Sequence, residues 1–192
     1  MPEPRDIPLV RWGESLRRDR DERRIFRFRL ILTAFVAILV TALFLTMIWP
    51  PRPALVWNAT ESSPIGLYRV EPPGEIARGD MVVAWAPREA RRLAAERHYL
   101  PSNVPLVKRV AAGPGDRVCA AGEAVFVNGA LVARRRAADL SGRPLPSWSG
   151  CLDLGQGFLL LLMPGENSFD GRYFGLTSAR DVVGRARLIW RG

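Results

Sequence analysis

The chain has 192 residues, of which 48% are hydrophobic and 24% charged, and its formal net charge is +9. That length bounds it to one domain with attachments, and without a tract that alternates basic and aromatic residues the positive charge does not read as a nucleic-acid footprint. A single histidine, His98, excludes a multi-histidine metal site, and two cysteines, Cys119 and Cys151, are too few for a zinc site and too far apart for a C-x-x-C redox motif.

Residues 1–29 are polar and arginine-rich, with nine Arg against six Asp and Glu. Mixed signs at close spacing allow i,i+4 pairs but bury nothing, so the stretch reads as a short solvated helix or a disordered tail. Leu30 to Trp49 follows as 20 residues without a charge. As a helix it is about 30 Å long, the thickness of a hydrocarbon core. Trp49 closes it where an interfacial aromatic belongs, and the arginines before it place residues 1–29 in the cytoplasm by the positive-inside rule. A cleavable signal peptide is the competing reading. Its apolar region is normally about 7–15 residues with a small-residue cleavage site, whereas here a longer run is followed by Pro50-Pro51-Arg52-Pro53. The division expected is a cytoplasmic tail over 1–29, a transmembrane anchor over 30–49 and an outer domain over 50–192.

From Pro50 to Val56 the chain reads as a stiff linker. Strands are then predicted over Gly66–Val70, Met81–Trp85, Leu106–Ala111, Phe158–Met163 and Ala186–Trp190, with one short helix over Arg88–His98. Asn128-Gly129 between two apolar runs predicts a tight hairpin, and Ala137–Gly150 reads as a loop. The pattern is mainly β, a folded-over sheet or partly open barrel with one short helix. Cys119 and Cys151 pair naturally as a disulfide if the domain lies outside the cytoplasm, the alternative being two buried free thiols.

The chemistry begins with a count. Of 28 basic residues, 27 are arginine and one, Lys108, is lysine. Arginine does not lose its proton in a protein, but a desolvated lysine does. Biased base composition accounts for the arginines and leaves the lysine unexplained. Lys108 lies in the apolar segment Pro105-Leu106-Val107-Lys108-Arg109-Val110. The other half of the pair is Ser62, in the hydroxyl-rich stretch Asn58-Ala59-Thr60-Glu61-Ser62-Ser63-Pro64-Ile65-Gly66-Leu67-Tyr68. A serine is a weak nucleophile without a base within hydrogen-bond reach. Ser63 is the rival nucleophile. A Ser-His-Asp triad would have to use His98, in a charged helical stretch.

Thr60 to Tyr68 resembles the serine box of the signal peptidase I family, in the S-x-P-x-G-x-Y form of its conjugative-transfer (TraF-type) branch. Leu106 to Asp116 resembles the lysine box, K-R-x-x-G-x-P-G-D, with Ala112 at its first glycine. Gly165 to Gly175 resembles the third box, G-D-N-S-x-D-S-R-Y-x-G, with Glu166 and Gly171 in place of Asp and Ser. Val183-Gly184-Arg185-Ala186 is similar to the closing V-G-R-A strand. The resemblance covers residues 57–190 in family order.

It implies a nucleophile, Ser62, and a general base, Lys108, with an oxyanion hole made by the Ser62 N–H and the Thr60 hydroxyl. Ser168 would orient the lysine amine, and Asp170 and Arg172 would hold that loop. No cofactor and no metal are implied. The expected function is a membrane-anchored serine–lysine endopeptidase of the bacterial inner membrane, its catalytic domain in the periplasm. It would cut precursor peptides after small residues, with a conjugative pilin precursor as substrate and conjugation-complex proteins as possible partners. The alternatives are a general leader peptidase and an inactive anchored scaffold of a pilus or secretion complex.

Overall fold

A computed structural model of the chain describes residues 8–48 and 53–192. Residues 1–7 of the tail, Trp49, and Pro50-Pro51-Arg52 at the start of the linker lie outside the described residues. The chain divides into two units, Met1–Pro51 and Arg52–Gly192.

The described residues of the first unit form a single helix, α1, Pro8–Ile48. It has no proline after Pro8, so nothing interrupts its hydrogen-bond ladder. Tail and apolar run are therefore one continuous helix rather than a separate short helix before an anchor. Its Glu22–Ile48 segment is long and apolar enough to cross a bilayer. Three threonines within that segment turn their hydroxyls back onto the helix, as in Thr41 Oγ1 to Ala37 O at 2.8 Å, so none presents an unpaired donor.

The second unit is mainly β. Seven strands form a curled, partly open antiparallel sheet in the order β1 (Leu55–Asn58), β2 (Gly66–Glu71), β11 (Val182–Arg191), β3 (Met81–Ala84), β4 (Leu106–Ala112), β9 (Phe158–Leu162), β10 (Thr177–Ser178). A second sheet has the order β7 (Ala130–Arg134), β6 (Ala124–Val127), β5 (Arg117–Ala121), β8 (Gly150–Asp153). Val118, Val125 and Val127 of the small sheet pack with Ala112, Leu160 and Leu162 of the large one. This shared core folds one sheet onto the other, each fully buried Val or Leu contributing about 1.5–3 kcal/mol. A second cluster, Val56, Tyr68, Val83 and Val107, fixes β1 and β2 against β3 and β4.

The hairpin at Asn128-Gly129 forms as its sequence demands, with positive φ of 51° and 81° at the two turn residues. The helix predicted over Arg88–His98 is α2, Arg88–Glu96. It ends early because His98 takes a left-handed φ of 60°, so His98 is exposed on a turn and not on a helix. It is not the only short helix: a one-turn helix, α3, spans Gly171–Phe174, and a 3-10 turn spans Ala179–Asp181. The linker expected up to Val56 already pairs as β1, and β5, β8 and β10 were not legible as strands. β8 is exposed along its whole length and is held by pairing to β5 alone, so no apolar alternation marks it.

Cys119 and Cys151 face each other across β5 and β8 and are joined as a disulfide.

Candidate active site

Ser62 stands in the turn between β1 and β2, and Asn58 builds that turn. Its amide is buried at the end of β1 and donates to three carbonyls, Thr60 O at 2.9 Å, Ser63 O at 3.0 Å and Pro64 O at 3.1 Å. The far side is pinned by the buried Tyr68, whose hydroxyl donates to Pro64 O at 2.7 Å. Gly66 starts β2 where a Cβ would lie 2.1 Å from Trp190 O, so only glycine lets β2 and β11 close behind the serine. Asn58 is not among the residues that the sequence pattern singles out. Its one sequence signal is an asparagine that ends a short apolar run, Leu55-Val56-Trp57.

Lys108 lies in the middle of β4, opposite Val82 of β3, and is only 2% exposed. Arg109, its neighbour, points outward, as strand alternation requires. Val107 also points away, into the cluster behind the sheet. The Lys108 amine ends 2.8 Å from Ser62 Oγ and 2.9 Å from Ser168 Oγ. Burial pushes its pKa from 10.5 down to about 8. Asp170 acts to raise it and Arg172 to lower it, and desolvation is the largest of the three causes.

Ser168 belongs to the loop after β9. Asp170 closes that loop by accepting from Met163 N at 3.0 Å, Arg172 N at 3.1 Å and Arg172 Nε at 2.8 Å. Arg172 donates in addition to Arg134 O at 3.1 Å and to Met163 O. The carboxylate is fully buried and the guanidinium is 2% exposed. Such a pair is tolerable because every charge is hydrogen-bonded. Gly171, where the family motif has Ser, is packed tightly: a Cβ there would meet Leu161 O at 2.9 Å.

Thr60 Oγ1 lies 3.1 Å from Ser62 Oγ and donates to Asn58 Oδ1 at 2.8 Å. The Ser62 N–H enters no backbone hydrogen bond among the described residues. Ser63 is 4% exposed and its hydroxyl has no partner. Ser62, Lys108, Ser168 and Thr60 thus converge, Asp170 and Arg172 stand behind them, and Cys119 and Cys151 belong to the other sheet. The four converging residues open on a cleft of about 950 Å³ that is also lined by Tyr99, Arg136, Asp139 and Phe169.

The signal peptidase (peptidase S26) family matches residues 27–191. A probable conjugal transfer protein TraF of Sinorhizobium fredii is 35% identical over 144 residues, covering 69% of this chain and 74% of the relative. A plasmid transfer protein TraF of Escherichia coli is 34% identical over 146 residues, covering 69% and 82%. A conjugal transfer protein TraF of Agrobacterium fabrum is 34% identical over 143 residues, covering 69% and 80%. A signal peptidase I crystal structure from Enterococcus faecalis aligns with 59% of this chain and 97% of that one at a TM-score of 0.34 and 18% identity. A family match that runs from within α1 to the end of β11, together with relatives at this identity and coverage, shows that the chain belongs to the signal peptidase family, peptidase S26.

Proposed function

We propose that the protein is a membrane-anchored serine–lysine endopeptidase that removes leader segments from precursor proteins after small residues, and that its substrate is a pilin precursor of a conjugation system. The observation that carries the catalytic part is the Lys108 Nζ–Ser62 Oγ distance of 2.8 Å at a buried amine. The conjugative part is carried by the names of the relatives, each a conjugal or plasmid transfer protein. The α1 helix would anchor the chain in the inner membrane, with residues 50–192 on the periplasmic side.

The neutral amine has two N–H donors and one lone pair. Donation to Ser168 Oγ leaves the lone pair free to face Ser62. On substrate binding, Lys108 takes the Ser62 hydroxyl proton as Oγ attacks the scissile carbonyl carbon. The oxyanion collects the Ser62 N–H and the Thr60 hydroxyl, which reaches it by rotating its hydrogen away from Asn58 Oδ1. The lysine then returns the proton to the leaving amine, giving an acyl-enzyme that water hydrolyses. An extended substrate would lie along the cleft as an added strand.

The test is cleavage of pilin precursors encoded nearby, by the purified full-length protein, as a function of pH. Only the neutral amine is active, so kcat/KM should rise with pH through about 8 and level off above it. Lys108→Arg, which cannot deprotonate, should be as inactive as Lys108→Ala and Ser62→Ala, with losses of about 10²–10⁴-fold or more. Ser63→Ala should retain activity. Substantial turnover by Lys108→Arg would overturn the mechanism.

A further inference from the structure

One wall of the cleft is built from two segments far apart in sequence, residues 97–105 after α2 and residues 136–145 after β7. Asp139 ties them together. Its carboxylate accepts from the Tyr99 hydroxyl, from Arg143 Nε at 2.7 Å, and from the Ser141 and Arg143 N–H groups at 2.9 Å each, with Arg97 Nη1 at 3.7 Å. These donors hold the carboxyl well below the usual carboxylate range, so the tie persists at every working pH.

Tyr99 carries that tie inward. Its ring lies 5.4 Å from the Phe169 ring, which leans on Tyr173 and Phe174 on its other sides at 6.0 and 5.6 Å. Phe169 directly follows Ser168, whose buried hydroxyl accepts from Lys108 Nζ at 2.9 Å. Ser168 has one local restraint of its own, its N–H to Gly165 O at 3.2 Å. The route from this wall to the amine is therefore Asp139, Tyr99, Phe169, Ser168, Lys108, with every step a contact.

We infer that Tyr99, held by Asp139, is a positioning residue for Lys108: its ring wedges Phe169 so that Ser168 stays on the amine and water stays off it. A functional site held to within tenths of an ångström needs supports that are themselves packed and hydrogen-bonded. Because Tyr99, Asp139 and Phe169 also line the cleft, a bound substrate touches the residues that set the lysine. The charged groups near the amine are Asp170 and Arg172 beyond Ser168, with Glu61, Glu166 and Arg136 on the exposed rim. Displacing Phe169 adds and removes no charge among these but admits water, which reverses the desolvation and raises the lysine pKa.

This inference rests on reading Lys108 as the base, yet its test needs no turnover. Lys108 is the only lysine, so full-length protein labelled with 13C- and 15N-lysine gives one side-chain signal, and its titration belongs to that residue. In Tyr99→Leu the midpoint should move up by about one pH unit from about 8, which lowers the neutral fraction at pH 8 about fivefold. Tyr99→Phe keeps the ring on Phe169 but releases it from Asp139, and should move the midpoint up by about 0.3 unit, well short of the Leu variant. Arg92→Ala, which breaks only an exposed pair with Glu96 on α2, should leave the midpoint unmoved. Near-ultraviolet circular dichroism of the six tryptophans reports whether each variant is folded; should Tyr99→Leu unfold, Phe169→Leu decides in its place. A folded Leu variant with the parent midpoint overturns the inference. Equal shifts in the Phe and Leu variants overturn it too, since the hydroxyl and not the ring would then be acting. A shifted midpoint alongside an active Lys108→Arg would leave the positioning intact and sink the proposed mechanism instead.

Discussion

Lys108 carries a cost that its neighbours reveal. A lysine with a pKa of about 8 in the folded chain and 10.5 in the unfolded one binds fewer protons when folded. The sign follows: between pH 8 and 10.5 the unfolded chain holds the extra proton, so stability rises with pH across that window. Below pH 8 the burial cost is fully present, on the order of 3 kcal/mol at 1.36 kcal/mol per pKa unit. Lys108→Met removes the charge, at the expense of unpairing the Ser62 and Ser168 hydroxyls, about 1–3 kcal/mol. The variant is therefore expected to match or exceed the parent in thermal midpoint at pH 7, and to lose ground steadily as pH rises to 10.5. A parent whose stability is flat from pH 8 to 10.5 would show that the amine is not desolvated. At this scale the site residues split by how sequence marks them. Lys108 stood out as a compositional exception, and Ser62, Ser168, Asp170 and Arg172 by their spacing in motifs. Tyr99 and Asp139 left no such mark, because they meet across 40 residues and neither is unusual locally.

At the level of elements, the serine turn is only as ordered as the strands that frame it. Asn58→Ala removes three amide donations and the acceptor for Thr60. We expect a stability loss of about 1–3 kcal/mol from the orphaned carbonyls and a kcat loss greater than the change in KM, measured by denaturant melts and by initial rates. Gly184 of β11 is a sharper case: a Cβ there would lie 2.1 Å from Glu71 O, on the neighbouring strand β2. Gly184→Ala must part β2 from β11 and should cost about 3 kcal/mol or more, whereas Gly74→Ala, with nothing within 4 Å, should be near neutral. Similar melting of the two variants would mean that β2 and β11 do not pack this closely. The strands that the sequence disclosed, such as β4 and β9, are those with apolar residues on both faces. β1, β5, β8 and β10 stayed hidden because pairing with a neighbouring strand, not an intrinsic apolar pattern, makes them strands.

For the whole molecule, the open question is which side of the membrane the β domain occupies, and two independent measurements must agree on it. The arginines before Leu30 argue for an outer domain. The Cys119–Cys151 bond argues the same way, since disulfides persist in oxidising compartments. It closes a sequence separation of 32, which on chain-entropy grounds stabilises the domain by about 3–4 kcal/mol. A C-terminal alkaline phosphatase fusion should therefore be active, and alkylation in intact cells should gain two thiols only after reduction. The chain should also remain with the membrane fraction after alkaline washing and keep residues 1–49, because its uncharged run of 20 residues exceeds the about 7–15 of a cleavable signal. A shortened, soluble product would make the helix a signal peptide. An inactive fusion with both thiols free would place the domain in the cytoplasm. In that case Ser62 and Lys108 would face cytosolic chains, and a leader-removing role on the outer face would have to be given up even if both proved fully active.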